Sequence, residues 1–323
     1  MNYTRDLIIR SMVRKRITAV GDMVCDILCS PVSHLDDADV QLELDGLNIS
    51  PGGNTLNFAL AASAFGADVI FHGGRGEDPL GTFLARWMER SGVGDHSRKI
   101  GGLHTATTIS IPTLSGERRL LTYPGANSRF EITPDQIDLD WTAHLHMGGF
   151  WFMKGLAGAP TSEILKECRR RDIQTSMDPA SPPFEGRGKM VERLTDALPY
   201  LDILFVNEYE IARITGKRDI FKGASMLIDR GVGTVVVHRG ETGSSLISGD
   251  GRIDLGSYMV LVPRNPTGCG DVFNGCFVAA LLEGRSGEEA AEFGMAAAAL
   301  HMASAEPLYP TRSMVMERVK RGK

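Results

Sequence analysis

The sequence predicts an α/β protein: a three-layer α/β/α fold with a mostly parallel central sheet and a small β lid. Short, almost continuously apolar runs alternate with helical patterns, as expected for parallel strands that helices cover on both faces. Two stretches break this alternation and are predicted to form the lid, residues 28–49 and 103–124. Within the second, residues 107–123 are typical of an antiparallel hairpin around a Ser-Gly-Glu turn.

The strand candidates are the apolar runs 17–21, 69–72, 144–147, 173–177, 203–206 and 234–238. The clearest helix candidate begins at Asp78-Pro79, which combines a good N-cap with a good first helical residue. Its apolar stripe, which ends near Gly92, consists of Leu80, Phe83, Leu84, Trp87 and Met88. Residues 1–16 are predicted to be a basic, solvated N-terminal extension, and residues 17–323 one domain.

Composition narrows the classes of function. The 323 residues are 42% hydrophobic, which is enough for one large buried core. A net charge of −5 argues against nucleic acid or an anionic membrane surface as the main partner, and no apolar run is long enough to span a bilayer. The five cysteines lack paired metal-ligand spacing, so we expect reduced thiols in a cytoplasmic protein.

The strongest chemical signal is PTGCGDVFNGCFVAALLEG, residues 266–284. Its apolar spacing predicts a buried helix from about residue 270, with Gly268, Cys269 and Gly270 at the N-terminus, where unpaired amides favour an anion. Asp271 lies in the first turn, where a carboxylate can take a proton from a hydroxyl group that attacks a phosphoryl group. The alternative is a glycine-rich turn followed by an ordinary acidic first turn.

Three weaker motifs accompany it. In SPGGNTLN (50–57), Gly52 and Gly53 precede a helix whose polar Asn57 either binds substrate hydroxyls or caps the helix. In FVNEYEIARITG (205–216), the acidic residues after Asn207 either complement the helix dipole or hold Mg²⁺ through its waters, with Glu210 as the candidate. The fourth motif, VVVHRGETGSSLI (235–247), is a strand, a glycine turn and a strand, typical of either a ligand site or a plain hairpin.

Two common nucleotide-binding signatures are missing. The chain has no GxxxxGK[ST] string, which excludes a P-loop. The string GGRGEDP (73–79) has proline where a dinucleotide fingerprint needs its third glycine, so a nicotinamide enzyme is not expected.

In their order and spacing, these motifs resemble the ribokinase-like (PfkB-type) carbohydrate kinases. The resemblance covers roughly residues 17–310. It is carried by VGDMVCD (20–26), SPGGNTLN (50–57), GGRGEDPLG (73–81), GERRLLTYPGAN (116–127), MDPA (177–180), VNEYE (206–210), HRGETG (238–243) and PTGCGD (266–271).

The resemblance implies an ATP-dependent phosphotransferase that acts on a hydroxyl of a small sugar, within a ribokinase-like fold. A nucleoside kinase and a catalytically silent sugar-binding relative are the alternatives. The implied residues are Asp271 as general base; Gly268, Cys269 and Gly270 as anion hole; Asp26, Gly52, Gly53 and Asn57 for the acceptor; Asn207, His238, Gly240 and Gly243 for ATP; and Glu210 for Mg²⁺. A homodimer formed through the lid is the expected assembly.

The chain also departs from the family pattern. Asn265 stands where the last signature usually opens with Asp, so we expect turnover to depend only weakly on K⁺. The usual Asp-Pro-Asn reads Asp178-Pro179-Ala180, and the C-terminal region has Met295 and Ala303-Ser304-Ala305 at positions that also differ from the pattern.

Overall fold

A computed structural model of the protein describes residues 16–33, 41–114, 118–181 and 190–322. The strands in these ranges are β1 (Arg16–Val20), β2 (Val24–Cys29), β3 (Leu47–Gly52), β4 (Asp68–His72), β5 (Gly74–Arg75), β6 (Gly94–Asp95), β7 (Arg98–Lys99), β8 (Thr107–Pro112), β9 (Arg118–Tyr123), β10 (Thr142–Gly148), β11 (Gln174–Asp178), β12 (Ile203–Asn207), β13 (Thr234–His238), β14 (Ser244–Ser248) and β15 (Gly251–Leu255).

The α-helices in the same ranges are α1 (Asn54–Phe65), α2 (Pro79–Arg90), α3 (Ala159–Arg170), α4 (Met190–Leu194), α5 (Glu208–Thr215), α6 (Ile220–Ile228), α7 (Cys269–Leu282), α8 (Gly287–Ala303) and α9 (Arg312–Arg321). Short 3₁₀ turns cover Gly125–Arg129, Pro134–Gln136, Leu198–Tyr200 and Gly240–Thr242. All six predicted strands are present within a few residues of their expected bounds, and Asp78 caps α2 by accepting the Gly81 amide at 2.8 Å.

The central sheet has the strand order β15-β14-β13-β12-β11-β10-β1-β4-β6. Neighbours from β6 to β13 run parallel, and β14 and β15 extend the sheet as antiparallel strands. In register, Val20 pairs with both His72 and Met147, and Asn207 pairs with His238. The parallel strands therefore end along one common edge.

Side chains of the strands enter two separate cores. In β12, Phe205 packs on the side of α7, where its ring lies 5.5 Å from that of Phe277. Leu204 and Val206 point to the other side and share a core with Ile211 of α5. This alternation explains why β12 is apolar on both faces, and it confirms the predicted three-layer architecture.

The lid is a second sheet of order β3-β2-β8-β9. Its hairpin of β8 and β9 agrees with the predicted one, although the turn at 115–117 lies outside the described residues. The other half of the sheet begins before the predicted segment 28–49, at Val24, and ends after it, at Gly52. Residues 34–40 of that segment, including Val40, lie outside the described ranges.

Two further expectations concern the whole chain. The five cysteines form no disulfide. Among the described helices, none is both long and apolar enough to cross a bilayer. Residues 1–15 of the predicted N-terminal extension lie outside the described ranges.

Candidate active site

Polar side chains meet where the parallel strands end. Asp22 follows β1, Asp178 closes β11, Asn207 closes β12 and His238 closes β13. Together with the N-terminus of α7, they line a cavity of about 400 Å³. The opposite wall is the inner face of the lid, which contributes Asp26, Leu28, Thr108, Ser110, Leu120 and Thr122. This is the usual place for a ligand in an open α/β sheet.

The N-terminus of α7 presents backbone amides to this cavity. Gly268 is the N-cap and has φ +83°, a conformation that glycine adopts without strain. The first intrahelical bond runs from the Val272 amide to the Gly268 carbonyl, so the amides of Cys269, Gly270 and Asp271 precede the hydrogen-bond ladder. The Cys269 thiol points inward, to carbonyls of Asn265 and Ala298, so its amide is the group available to a ligand.

Asp271 is held by two asparagines in the first turns of α1. The Asn54 amide donates to its Oδ1 and the Asn57 amide to its Oδ2, each at 2.9 Å. Burial raises the pKa of Asp271 to about 8, with the negative charges of Asp22 and Glu210 adding to the effect and the two amides opposing it. Such a carboxylate can accept a proton near neutral pH.

Asn57 uses both ends of its amide. Besides donating to Asp271, it accepts the Tyr309 hydroxyl through Oδ1 at 2.7 Å. The sequence alone does not show that Asn57 links Asp271 to Tyr309. A direct contact of Asn57 with an acceptor remains a prediction.

The two glycines before α1 lie against the segment from Asp22 to Asp26. A Cβ on Gly52 would lie 2.2 Å from Oδ2 of Asp26, so only glycine leaves that carboxylate its position in the cavity wall. Gly53 is the N-cap of α1, and Asp22 supplies the missing cap by accepting the Asn54 and Thr55 amides at 3.1 and 3.0 Å.

Glu210 and Asn207 form a reciprocal capping box at the start of α5. Glu210 accepts the Asn207 amide at 2.9 Å and the Ser181 hydroxyl at 2.8 Å, while Asn207 accepts the Glu210 amide at 2.8 Å. Burial raises the pKa of Glu210, and burial together with the charges of Glu210 and Asp271 raises that of Asp178 well above its ordinary value. The described residues contain no group of three or more His, Cys, Asp or Glu side chains that could hold a metal ion. The carboxylates of Glu210 and Asp178 in the cavity wall nevertheless fit Mg²⁺, which keeps most of its waters and completes its shell with substrate phosphates.

His238 joins these acids through Asn274 in α7. The Asn274 amide donates to Asp178 at 2.8 Å, so its carbonyl oxygen faces Nε2 of His238 at 3.0 Å, and that nitrogen carries the proton. Burial lowers the pKa of His238 to about 4, which keeps the ring neutral.

Gly240 and Gly243 lie just after this histidine, outside the residues that line the cavity. A Cβ on Gly240 would meet nothing within 4 Å, whereas one on Gly243 would lie 1.9 Å from the Leu255 carbonyl oxygen. Gly243 therefore has a structural reason to be glycine. A nucleotide contact at both positions remains a prediction.

Several residues of the site escaped the sequence analysis or were left without a role. Asn274 carries a usable signal, because it is a polar residue inside an otherwise apolar helix, as Asn57 is. Asp178 stands in a motif that was recognised. Tyr309 carries none, since 252 positions separate it from the asparagine that it contacts.

Comparisons with known proteins agree with this geometry. The model of the pfkB family carbohydrate kinases matches residues 14–312. A ribokinase from Haemophilus influenzae is 26% identical over 315 residues, which cover 94% of this chain and 98% of that protein.

Solved structures share the fold. The structure of Arabidopsis thaliana ribokinase complexed with ribose and ATP has a TM-score of 0.82 at 22% identity and covers 95% of this chain and 99% of that one. A putative ribokinase II from E. coli in complex with ATP and Mg²⁺ has a TM-score of 0.77 at 20% identity, with 95% and 99% covered. With a family model that spans nearly the whole chain, the protein belongs to the pfkB family of carbohydrate kinases.

Proposed function

We propose that this protein transfers the γ-phosphoryl group of ATP to a hydroxyl group of a small sugar. The observation that carries the proposal is the placement of the Asp271 carboxylate in the first turn of α7, beside amides that lie ahead of the helical ladder. A proton acceptor and an anion site at one point are what transfer from a phosphate to a hydroxyl group requires.

In this mechanism, the attacking hydroxyl lies between Asp271 and the γ-phosphorus. Its proton moves to a carboxylate oxygen of Asp271 as its oxygen bonds to phosphorus, and the bond from phosphorus to the bridging oxygen of ADP breaks. The amides of Cys269, Gly270 and Asp271 would stabilise the charge on the phosphoryl oxygens. Water is kept from the hydroxyl by the lid.

The acceptor would bind between the lid and α1. Asp26 can accept two hydrogen bonds from neighbouring hydroxyls, and its place next to Gly52 fixes the direction in which it points. Asn207 and His238 would face the nucleotide, and Glu210 with Asp178 would hold Mg²⁺ through its waters. When bound, the ion neutralises charge on the β- and γ-phosphates.

A nucleoside is the second candidate acceptor. Phe152, which is 40% exposed, lines the cavity and offers a ring face on which a base can stack.

Formation of ADP from ATP and Mg²⁺ should be measured across a panel of pentoses, hexoses, sugar acids and nucleosides. We expect at least one sugar to be a better substrate than any nucleoside, as judged by kcat/KM. Preference for nucleosides would move the assignment to the second candidate. Binding of sugars without turnover would identify a catalytically silent relative instead.

A further inference from the structure

His301 lies in α8, behind the N-terminus of α7, and is 3% exposed. Its Nε2 lies 2.8 Å from the carbonyl oxygen of Thr267, and its Nδ1 lies 2.7 Å from the carbonyl oxygen of Leu308. Carbonyl oxygens only accept hydrogen bonds, and a neutral imidazole has a single N–H to donate. In either neutral tautomer, one ring nitrogen would point its lone pair at a carbonyl oxygen less than 3 Å away. Only a ring that is protonated on both nitrogens satisfies both contacts.

The two carbonyls belong to the two segments that position the reacting groups. Thr267 immediately precedes Gly268, and a Cβ on Gly268 would lie 3.5 Å from Nε2 of His301. Leu308 immediately precedes Tyr309, whose hydroxyl holds the Asn57 side chain that donates to Asp271. The His301 ring therefore contacts both the segment before α7 and the segment whose Tyr309 holds Asn57 against Asp271.

The surroundings favour a positive charge at this position. Charge-assisted hydrogen bonds to both carbonyls compensate for removal of the ring from water. Asp26, a residue of the lid, lines the same small cavity of about 10 Å³ as His301. From the C-terminal segment the nearest ionisable group is Tyr309, with ring centroids 6.1 Å apart. Burial, with the charges of Asp271 and Asp26, raises the pKa of Tyr309 well above its ordinary value, so its hydroxyl stays a neutral donor.

We propose that His301 carries a proton on both ring nitrogens and acts as a positioning residue, which fixes the anion site of α7 and, through Tyr309 and Asn57, the orientation of Asp271. Its charge also lies directly behind the amides that would face the phosphoryl group. The kinetic part of this inference rests on the proposed function, whereas the charge of the ring does not.

The charge is tested without any substrate. Ring nitrogens of the ¹⁵N-labelled protein are observed by NMR at neutral pH, and His301→Gln assigns the signals of His301 by their loss. We expect a proton on both nitrogens of this ring. A ring with one protonated and one bare nitrogen would overturn the proposal, whether or not the protein proves to be a kinase.

The positioning role is tested by kinetics of the same variant. Glutamine keeps an amide donor but carries no charge and cannot reach both carbonyls. We expect kcat to fall about ten- to a hundredfold, because a displacement of the reacting groups by about 1 Å costs on that scale, with the KM for the acceptor changed by less than about threefold.

The matched control is His144→Gln, another buried histidine, whose Nε2 lies 2.7 Å from the Ser176 hydroxyl in the central sheet. This control should lower the melting temperature and leave kcat within about twofold of the parent. A kcat within about twofold for His301→Gln, or equal losses in both variants at equal loss of stability, would reject the positioning role. Absence of turnover in the parent with every acceptor would reject the proposed function and leave the NMR result to decide the charge.

Discussion

The most direct test of the proposed chemistry is Asp271→Asn. The side chain keeps its size, but its amide cannot accept the proton of the attacking hydroxyl. In the parent, Oδ1 and Oδ2 each accept one hydrogen bond at 2.9 Å, from Asn54 and Asn57. The variant turns one of these acceptors into a donor and so loses one hydrogen bond, which costs about 1 kcal/mol of stability. This cost is far smaller than the expected catalytic effect.

Loss of the general base should lower kcat by about 10²- to 10⁴-fold, which corresponds to about 2.7 to 5.4 kcal/mol on the barrier. Steady-state rates of ADP formation give kcat and the KM for both substrates, and calorimetry gives the affinity of the acceptor. We expect that affinity to change by less than about threefold. Turnover within about tenfold of the parent would refute the assignment of Asp271.

The pH dependence provides an independent signature. Because burial raises the pKa of Asp271 to about 8, kcat/KM of the parent should rise with pH up to that region and then level off. The residual rate of Asp271→Asn should lack this limb. The folded-state pKa exceeds 3.8, the ordinary pKa of an aspartic acid, so the folded protein binds the proton more tightly than the unfolded chain between these values. Its contribution to the free energy of unfolding therefore falls as pH rises through that window, and the variant should lack this part of the decrease. Parallel stability curves for the two proteins would contradict the raised pKa.

Four further outcomes are expected. Asp26→Ala should raise the KM for the acceptor about tenfold or more, with the KM for ATP and the melting temperature nearly unchanged. Gly52→Ala should reproduce the acceptor defect, because its Cβ would displace the Asp26 carboxylate. A normal acceptor KM with a lowered melting temperature in Asp26→Ala would show that Asp26 has a structural role. Replacing K⁺ by a large inert cation at equal ionic strength should change the rate by less than about tenfold, because the residue that opens the last signature is neutral; a larger loss would show that the chain retains a K⁺ site. Gly240→Ala should raise the KM for ATP, and because Gly240 has φ +54° it should also cost about 1 kcal/mol of stability. Gly243→Ala should lower the melting temperature further, because its Cβ would overlap the Leu255 carbonyl oxygen. An unchanged KM for ATP in Gly240→Ala would remove this turn from the nucleotide site. We expect two copies to pair through the outer face of the lid, where Leu121 is 58% exposed. Leu121→Asp should then convert a dimer into a monomer in sedimentation experiments. A parent protein that is already monomeric would contradict this expectation.

The fold was predictable because its signals are local. Strands such as β12 and β13 are short apolar runs, and α2 carries both its own cap, Asp78, and an apolar stripe. The start of α7 was predictable for the same reason, because Gly268, Gly270 and Asp271 are consecutive or nearly so in the chain. An anion site at this helix start remains a prediction.

What could not be predicted depends on contacts between distant segments. The sequence offers Asn57 as a cap or as a ligand, and only the folded chain shows that it contacts Asp271 and Tyr309. No local pattern singles out Asp22, which caps a helix that begins 32 positions later. A local pattern contains neither fact, because both arise from the order of strands in the sheet.

The buried acids of the cavity determine where positive charge is needed to bind a nucleotide. Asp22, Asp178, Glu210 and Asp271 all lie buried in the cavity wall, and burial raises the pKa of each. Those of the four carboxyl groups that are ionised repel a polyphosphate unless positive charge compensates for them. The amides of α7, with the imidazolium proposed for His301 behind them, supply it on the side of the general base. No Lys or Arg side chain lines the described part of the cavity wall, so we expect a divalent cation near Glu210 and Asp178 to accompany the nucleotide. On this reasoning the ionised acids would disfavour the free nucleotide and favour its magnesium complex.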